Sequence, residues 1–170
     1  MSMTTLSARP MSLLRVDFAE LYARHLCRHS QFGINVVHLA ALFGVWFGVY
    51  AALHALLGAL WLPVAMAATY LALVALNAPA RVCLATAVFL AVFVAAVIAL
   101  PALPIWLCLL MIPVFYEIQA LSHKVYTTAT DMTEFNAKYP KGFVLFVVLL
   151  INEVPLLLNY LVFDRKRWTS

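Results

Sequence analysis

Five long apolar runs dominate the chain. They occupy residues 34–57, 60–76, 82–100, 105–122 and 143–163, and short polar or proline-containing segments separate them. Each run has close to the roughly 20 residues that an α-helix needs to cross a bilayer. Nearly every side of these runs is apolar, so the pattern predicts helices that lie in lipid or in a protein core and have no face exposed to water.

A different pattern precedes the first run. In residues 12–31 apolar side chains recur three and four positions apart, while Arg15, Arg24 and Arg28 supply a basic side. This spacing predicts an amphipathic helix at the membrane surface. The polar residues 1–11 are expected to be loose, and residues 164–170 form a basic tail.

The predicted fold is therefore all-α. It is a polytopic membrane helix bundle of four to five spans with an N-terminal interfacial helix, and it forms one integral membrane domain over residues 1–170. The span count stays open because the last run carries Asn152, Glu153 and Pro155 near its centre. That run is either a fifth span or a re-entrant hairpin buried in protein.

Composition supports the membrane assignment. The chain is 66% hydrophobic and only 11% charged, whereas a soluble domain is about half apolar and a quarter charged. The net charge of +4 comes from basic residues in short loops and tails, so we expect lipid head groups and no nucleic acid as partners. The three cysteines are widely spaced and predict no disulfide framework or CxxC metal site.

Basic residues also predict the topology. They lie in the N-terminal region, in the loop with Arg81 and in the loop with Lys124 and Lys141, while the intervening loops have none. By the positive-inside rule the N-terminus is cytoplasmic. Five spans would then place the basic tail outside, whereas a hairpin would return it to the cytoplasm.

Four of the five histidines are predicted to converge. Span counting puts His25, His29, His38 and His123 on the same, cytoplasmic side of the membrane. His25 and His29 are four residues apart and share a helix face. His54 lies at the other end of the first span and is expected to be structural.

The converging imidazoles predict a metal site. Neutral imidazole is a strong ligand for iron, zinc and copper, and ionisable groups inside a membrane usually serve a function. Gln119 lies one turn before His123, and Glu117 lies deeper as a ligand or proton acceptor. An interfacial histidine can also be merely structural. Likewise, Glu153 in the last run has either a function or only an interhelical hydrogen bond.

Two short motifs resemble those of the 2-hydroxy-fatty-acid dioxygenases of fatty-acid alpha-oxidation. They are His29-Ser-Gln-Phe-Gly-Ile-Asn35-Val-Val-His38 and Gln119-Ala-Leu-Ser-His123, within regions of resemblance over residues 18–48 and 105–127. Ser122 stands where that family has glycine. The resemblance implies a small multi-span iron(II) protein that shortens a 2-hydroxy acyl chain by one carbon, with His29, His38 and His123 as iron ligands.

The predicted function is therefore a membrane metal-dependent oxygenase acting on a lipid or fatty acyl substrate, with iron(II), or else zinc or haem, as cofactor. Glu117 and Glu153 within apolar runs leave open a transporter or channel-like bundle. A non-catalytic assembly subunit and a homo-oligomer are further alternatives. Glu117 and Gln119 are predicted to be catalytic, and the four histidines are predicted to be metal ligands. The substrate is predicted to contact Tyr22, Arg24, Arg28, Asn35 and Lys124, and its acyl tail is expected to lie among Phe43, Trp46 and Phe47.

Overall fold

The computed structural model describes residues 16–59, 61–99, 103–126, 132–139 and 141–168, and the expectations for the N-terminal segment before residue 16 lie outside these. Within this part the chain is helical and has no strand, which confirms the all-α prediction. The helices are α1 (Phe18–Arg28), α2 (Phe32–Leu57), α3 (Trp61–Ala75), α4 (Ala80–Ala99), α5 (Ile105–Val125), α6 (Thr133–Lys138) and α7 (Phe143–Leu158). A π-helical turn, Asn159–Phe163, continues α7, and a 3₁₀ turn, Arg165–Arg167, follows.

In the part of the chain that the structure describes, four helical segments are long and apolar enough to cross a membrane. They are α2, α4, α5 and the combined segment Phe143–Phe163, whereas α3 has 15 residues and is shorter. These lengths fit a multi-pass integral membrane protein.

Helices α2 and α5 pack closely as an antiparallel pair. A Cβ atom on Gly48 would lie 2.6 Å from the backbone oxygen of Cys108, and one on Gly44 would overlap the ring of Phe115. Small residues let membrane helices approach in this way, and the Gly44-x-x-x-Gly48 spacing is typical of such contacts. The pairing places the start of α2 beside the end of α5, where His38 and His123 lie.

Helix α1 covers this end of the bundle. Asp17 caps its first turn by accepting a hydrogen bond from the backbone of Glu20 at 3.1 Å. Its buried residues Phe18 and Leu21 belong to a core cluster with Val82, Val148 and Leu156. The predicted helix is therefore present, and protein covers the apolar face that the sequence assigned to the membrane surface.

The segments on both sides of helix α7 contact α1. Before it, the Tyr139 hydroxyl donates a hydrogen bond to Glu20 at 2.5 Å. After it, Asp164 accepts one from Tyr22 at 2.8 Å. The helix is unbroken from Phe143 to Leu158, so it is not a hairpin of two helices, and its C-terminal flank lies beside the start of α2, where Tyr160 donates to the carbonyl oxygen of Ser30 at 2.8 Å.

Pro155 is accommodated within α7 by a neighbouring helix. Proline lacks the N–H that would bond to the carbonyl four residues earlier. That carbonyl, on Ile151, instead accepts a hydrogen bond from the Tyr70 hydroxyl at 2.6 Å. The π-helical turn after α7 also places the Phe163 ring 5.2 Å from the Arg81 guanidinium. The described basic segments thus gather at one end of the bundle, and a cytoplasmic location for that end stays a prediction.

Candidate metal centre

Three imidazoles meet at the α1 end of the bundle. His29 follows the last turn of α1, His38 lies in α2 and His123 lies in α5. Each offers a ring nitrogen, and these atoms all lie within 4.8 Å of one another. Their ring centroids are 4.5 to 5.0 Å apart and the rings meet edge to face. The convergence predicted by counting spans is confirmed for these three of the four histidines.

His29 carries two buried nitrogens without a partner. Its side chain is 8% exposed, and neither Nδ1 nor Nε2 has a hydrogen-bond partner among the described residues. A buried polar atom left unpaired costs about 1–3 kcal/mol. A metal ion bound to one of these nitrogens would give that nitrogen a partner and remove its share of the cost.

Ser122 favours one tautomer of His38. The Ser122 hydroxyl donates to the carbonyl oxygen of Gln119 at 2.7 Å. Its oxygen lies 3.1 Å from Nδ1 of His38 and therefore accepts from that nitrogen. Nε2 of His38 is left with its lone pair, which is the form that binds a metal. Ser122 was identified in the sequence only as a departure from the family motif.

Asn35 holds the junction between α1 and α2. Its amide nitrogen donates to the carbonyl oxygens of His29 and Gln31, each at 2.8 Å. Its amide oxygen lies 2.8 Å from Nε2 of His25 and accepts from it. The spacing predicted Asn35 near a substrate, and the structure gives it a role in positioning His25 and His29.

His25 lies beside the three-imidazole group. Its ring stacks on that of His29 with centroids 4.4 Å apart. Because Nε2 donates to Asn35, only Nδ1 remains for a metal, and His25 is not among the three residues whose nitrogens converge. Its predicted role as a ligand stays a prediction.

The imidazoles at the end of α1 are held in the neutral form. The pKa of His25 is lowered to about 4, mainly by burial and less by the Arg24 charge, against the hydrogen bond to Asn35, which raises it. Burial also lowers the pKa of His29, with contributions from the neighbouring imidazoles and Arg28. Neutral imidazole is the form that ligates metals.

Gln119 and Glu153 form a polar pair next to His38. Gln119 donates to Glu153 Oε1 at 3.1 Å, and this oxygen lies 3.9 Å from Nε2 of His38. Glu153 thus lies beside the site from α7. Glu117 is exposed, because two positions along α5 rotate it by about 200° from Gln119. The structure does not bring Glu117 to the imidazoles.

The predicted substrate-binding residues differ in whether they are exposed or already engaged in contacts within the protein. The Arg24 guanidinium lies 4.9 Å over the ring of Phe135, and Arg28 and Lys124 are exposed at the same end. Tyr22 is occupied by its hydrogen bond to Asp164. Burial, followed by this bond, raises the Tyr22 pKa. Arg28 and Lys124 therefore have the exposure that contact with an anionic head group requires.

Comparison of the chain with protein-family models, curated proteins and solved structures found no match in any of the three. The likeness to the dioxygenase motifs stays a prediction, and the function is inferred from the site residues.

Proposed function

We propose that this protein is a membrane metal-dependent oxygenase acting on a fatty acyl substrate, with iron(II) held by His29, His38 and His123. One observation carries the proposal. Three imidazole nitrogens from three different segments lie within 4.8 Å of one another, and the nitrogens of His29 are buried without partners in the described part of the chain.

The donor set fits a transition-metal ion. Imidazole nitrogens lie about 2.0–2.1 Å from a bound zinc ion, and similar distances would place two such nitrogens no more than about 4.2 Å apart. That limit holds for nitrogens on opposite sides of the ion; in the tetrahedral arrangement two nitrogens lie about 3.4 Å apart, so a pair at the present limit of 4.8 Å must approach by about 1.4 Å. Three protein ligands leave coordination positions for substrate, as catalytic metal sites require. The motif resemblance favours iron(II) over zinc.

The surrounding residues suit an amphiphilic acid. The site lies at the end of the bundle where exposed Arg28 and Lys124 can attract a carboxylate. Ser122 keeps the lone pair of His38 available, and Asn35 holds His29 in place. Iron(II), when bound, supplies the activation of dioxygen that these side chains cannot provide.

The proposed reaction consumes one dioxygen for each 2-hydroxy acid. The bond between the carboxyl carbon and the hydroxyl-bearing carbon breaks. The hydroxyl-bearing carbon becomes the carboxyl group of an acid one carbon shorter, and carbon dioxide and water are released. Dioxygen takes up the four electrons, so no further reductant is needed.

Turnover in reconstituted membranes tests this function. Protein loaded with iron(II) without oxygen is given a long-chain 2-hydroxy acid and then oxygen, and the shortened acid is measured by mass spectrometry. His38→Ala and His123→Ala should abolish the product. His54→Ala is the matched control, since it lies 16 positions along α2 from His38, about 24 Å away. Product that persists in the His38 and His123 variants contradicts the proposal.

A further inference from the structure

A long apolar groove lies along the side of the bundle. It has a volume of about 800 Å³ and is open over much of its length. Its described lining has no charged residue and comes from α2, α4, α5 and the C-terminal turns. Along α2 it extends from Phe32 to Phe47.

The groove is separate from the metal centre. Phe43 and Phe47 follow His38 by five and nine positions, which places them about 140° and 180° around α2 from it. No histidine lines the groove. Its extent along α2 is about 22 Å, compared with about 15 Å for half of the hydrocarbon core of a bilayer. The groove is therefore long enough for an acyl chain of one leaflet.

One end of the groove has an aromatic and basic border. The Trp168 ring lines the groove and lies 4.6 Å from the ring of Phe32. The Arg165 guanidinium lies 5.7 Å from Trp168, and Lys166 follows it as an exposed residue. Tryptophan is typical of the level of lipid head groups.

This border carries positive charge that is not neutralised. Asp164 is the nearest acid in the sequence, and it already pairs with Arg167 at 2.8 Å and accepts from Tyr22. Among the described residues neither Arg165 nor Lys166 forms an ion pair with a carboxylate. An anionic lipid head group at this end of the groove would therefore complement the positive charges of Arg165 and Lys166.

We propose that the groove binds one acyl chain of an anionic phospholipid, with the phosphate head group against Arg165 and Lys166. The site holds a resident lipid next to the bundle. It does not depend on the metal centre or its reaction, and it assigns to a phospholipid chain the groove residues Phe43 and Phe47, where the sequence predicted the acyl tail of the substrate.

Native mass spectrometry of the full chain tests the proposal. The protein is offered phosphatidylglycerol or phosphatidylcholine with the same acyl chains. We expect one phosphatidylglycerol per chain and about tenfold weaker phosphatidylcholine binding, because each basic residue near an anionic lipid favours binding. The double substitution Arg165→Gln and Lys166→Gln should remove this preference. Lys141→Gln, an exposed basic residue outside the groove, is the control.

Variants that fill the groove provide a second test in the same binding experiment. Ala40→Phe and Ala96→Phe add bulk to its lining, whereas Ala68→Phe adds the same bulk on the exposed side of α3. Only the first two should displace the lipid. Equal binding of both phospholipids, lipid retained in the filled variants, or a dimer that only these variants dissociate would overturn the proposal. The last result would identify a second copy of the chain as the occupant.

Discussion

Ser122 accepts a hydrogen bond from Nδ1 of His38 at 3.1 Å, across the contact between α5 and α2. The serine hydrogen is directed to the Gln119 carbonyl at 2.7 Å, so its oxygen is left to accept. The bond favours the tautomer of His38 in which Nε2 keeps its lone pair. Outer partners of this kind orient metal ligands and set their tautomer.

Removing this hydroxyl should weaken metal binding without unfolding the protein. We expect Ser122→Ala to lower metal affinity about 10- to 100-fold, because His38 then samples the wrong tautomer. Competition with a chelator of known affinity measures the change. Thr86→Ala is the matched control, since Thr86 is also buried and, within the described part of the chain, its hydroxyl donates only to the Val82 carbonyl in α4. Equal affinity in Ser122→Ala and wild type would show that the bond does not orient a ligand.

Asn35 should matter to both stability and metal binding. It is fully buried and takes part in three hydrogen bonds at the junction of α1 and α2. We expect Asn35→Ala to lower the free energy of unfolding by about 2–4 kcal/mol, because hydrogen bonds are lost and buried partners are left unpaired. Unfolding in mixed detergent micelles measures this. Asn152→Ala, which removes one described bond within α7, should cost less. Equal losses would argue against a special role for Asn35.

The close contact between α2 and α5 predicts a steric effect. The added methyl of Gly48→Ala would meet the rigid backbone at Cys108. We expect a loss of about 1–3 kcal/mol in unfolding free energy, as for other overpacked sites. Gly142→Ala is the control, since its added methyl would lie more than 4 Å from every described residue other than its chain neighbours. A Gly48→Ala protein as stable as wild type would contradict the packing described for this pair.

The metal-free protein should lose stability in acid. The pKa of His25 is about 4 in the folded protein against 6.5 for an ordinary histidine. As the pH falls below 6.5, the unfolded chain takes up the proton first, so unfolding becomes easier down to about pH 4 and the effect then levels off. Thermal unfolding at several pH values measures this, and His25→Gln should make the dependence shallower. Stability that rises on acidification would contradict the buried neutral state.

Much of the fold follows from simple features of the sequence. Run lengths and the spacing of His25 and His29 predict the helices and the shared face. Counting spans then brings His38 and His123 to one depth. These predictions succeed because helix rise and rotation are nearly constant.

The features that were not predicted from the sequence depend on the rotation of side chains about helix axes and on tertiary contacts. Glu117 was placed by its depth in α5, although its two-residue offset from Gln119 already indicates the opposite side. The role of Ser122 depends on which atom faces it from α2, and no local pattern gives that. The path of α7 is set by contacts of its flanks with α1, which its uniform apolar sequence does not reveal.

Metal analysis of the purified protein tests the central claim most directly. The chain is isolated in mild detergent without added chelator, loaded anaerobically with iron(II), desalted and analysed for metal per chain. The wild type and His54→Ala should retain one iron ion per chain, and His29→Ala, His38→Ala and His123→Ala should retain little. A wild-type protein that keeps no iron, or a His38→Ala protein that keeps as much, would contradict the three-histidine centre.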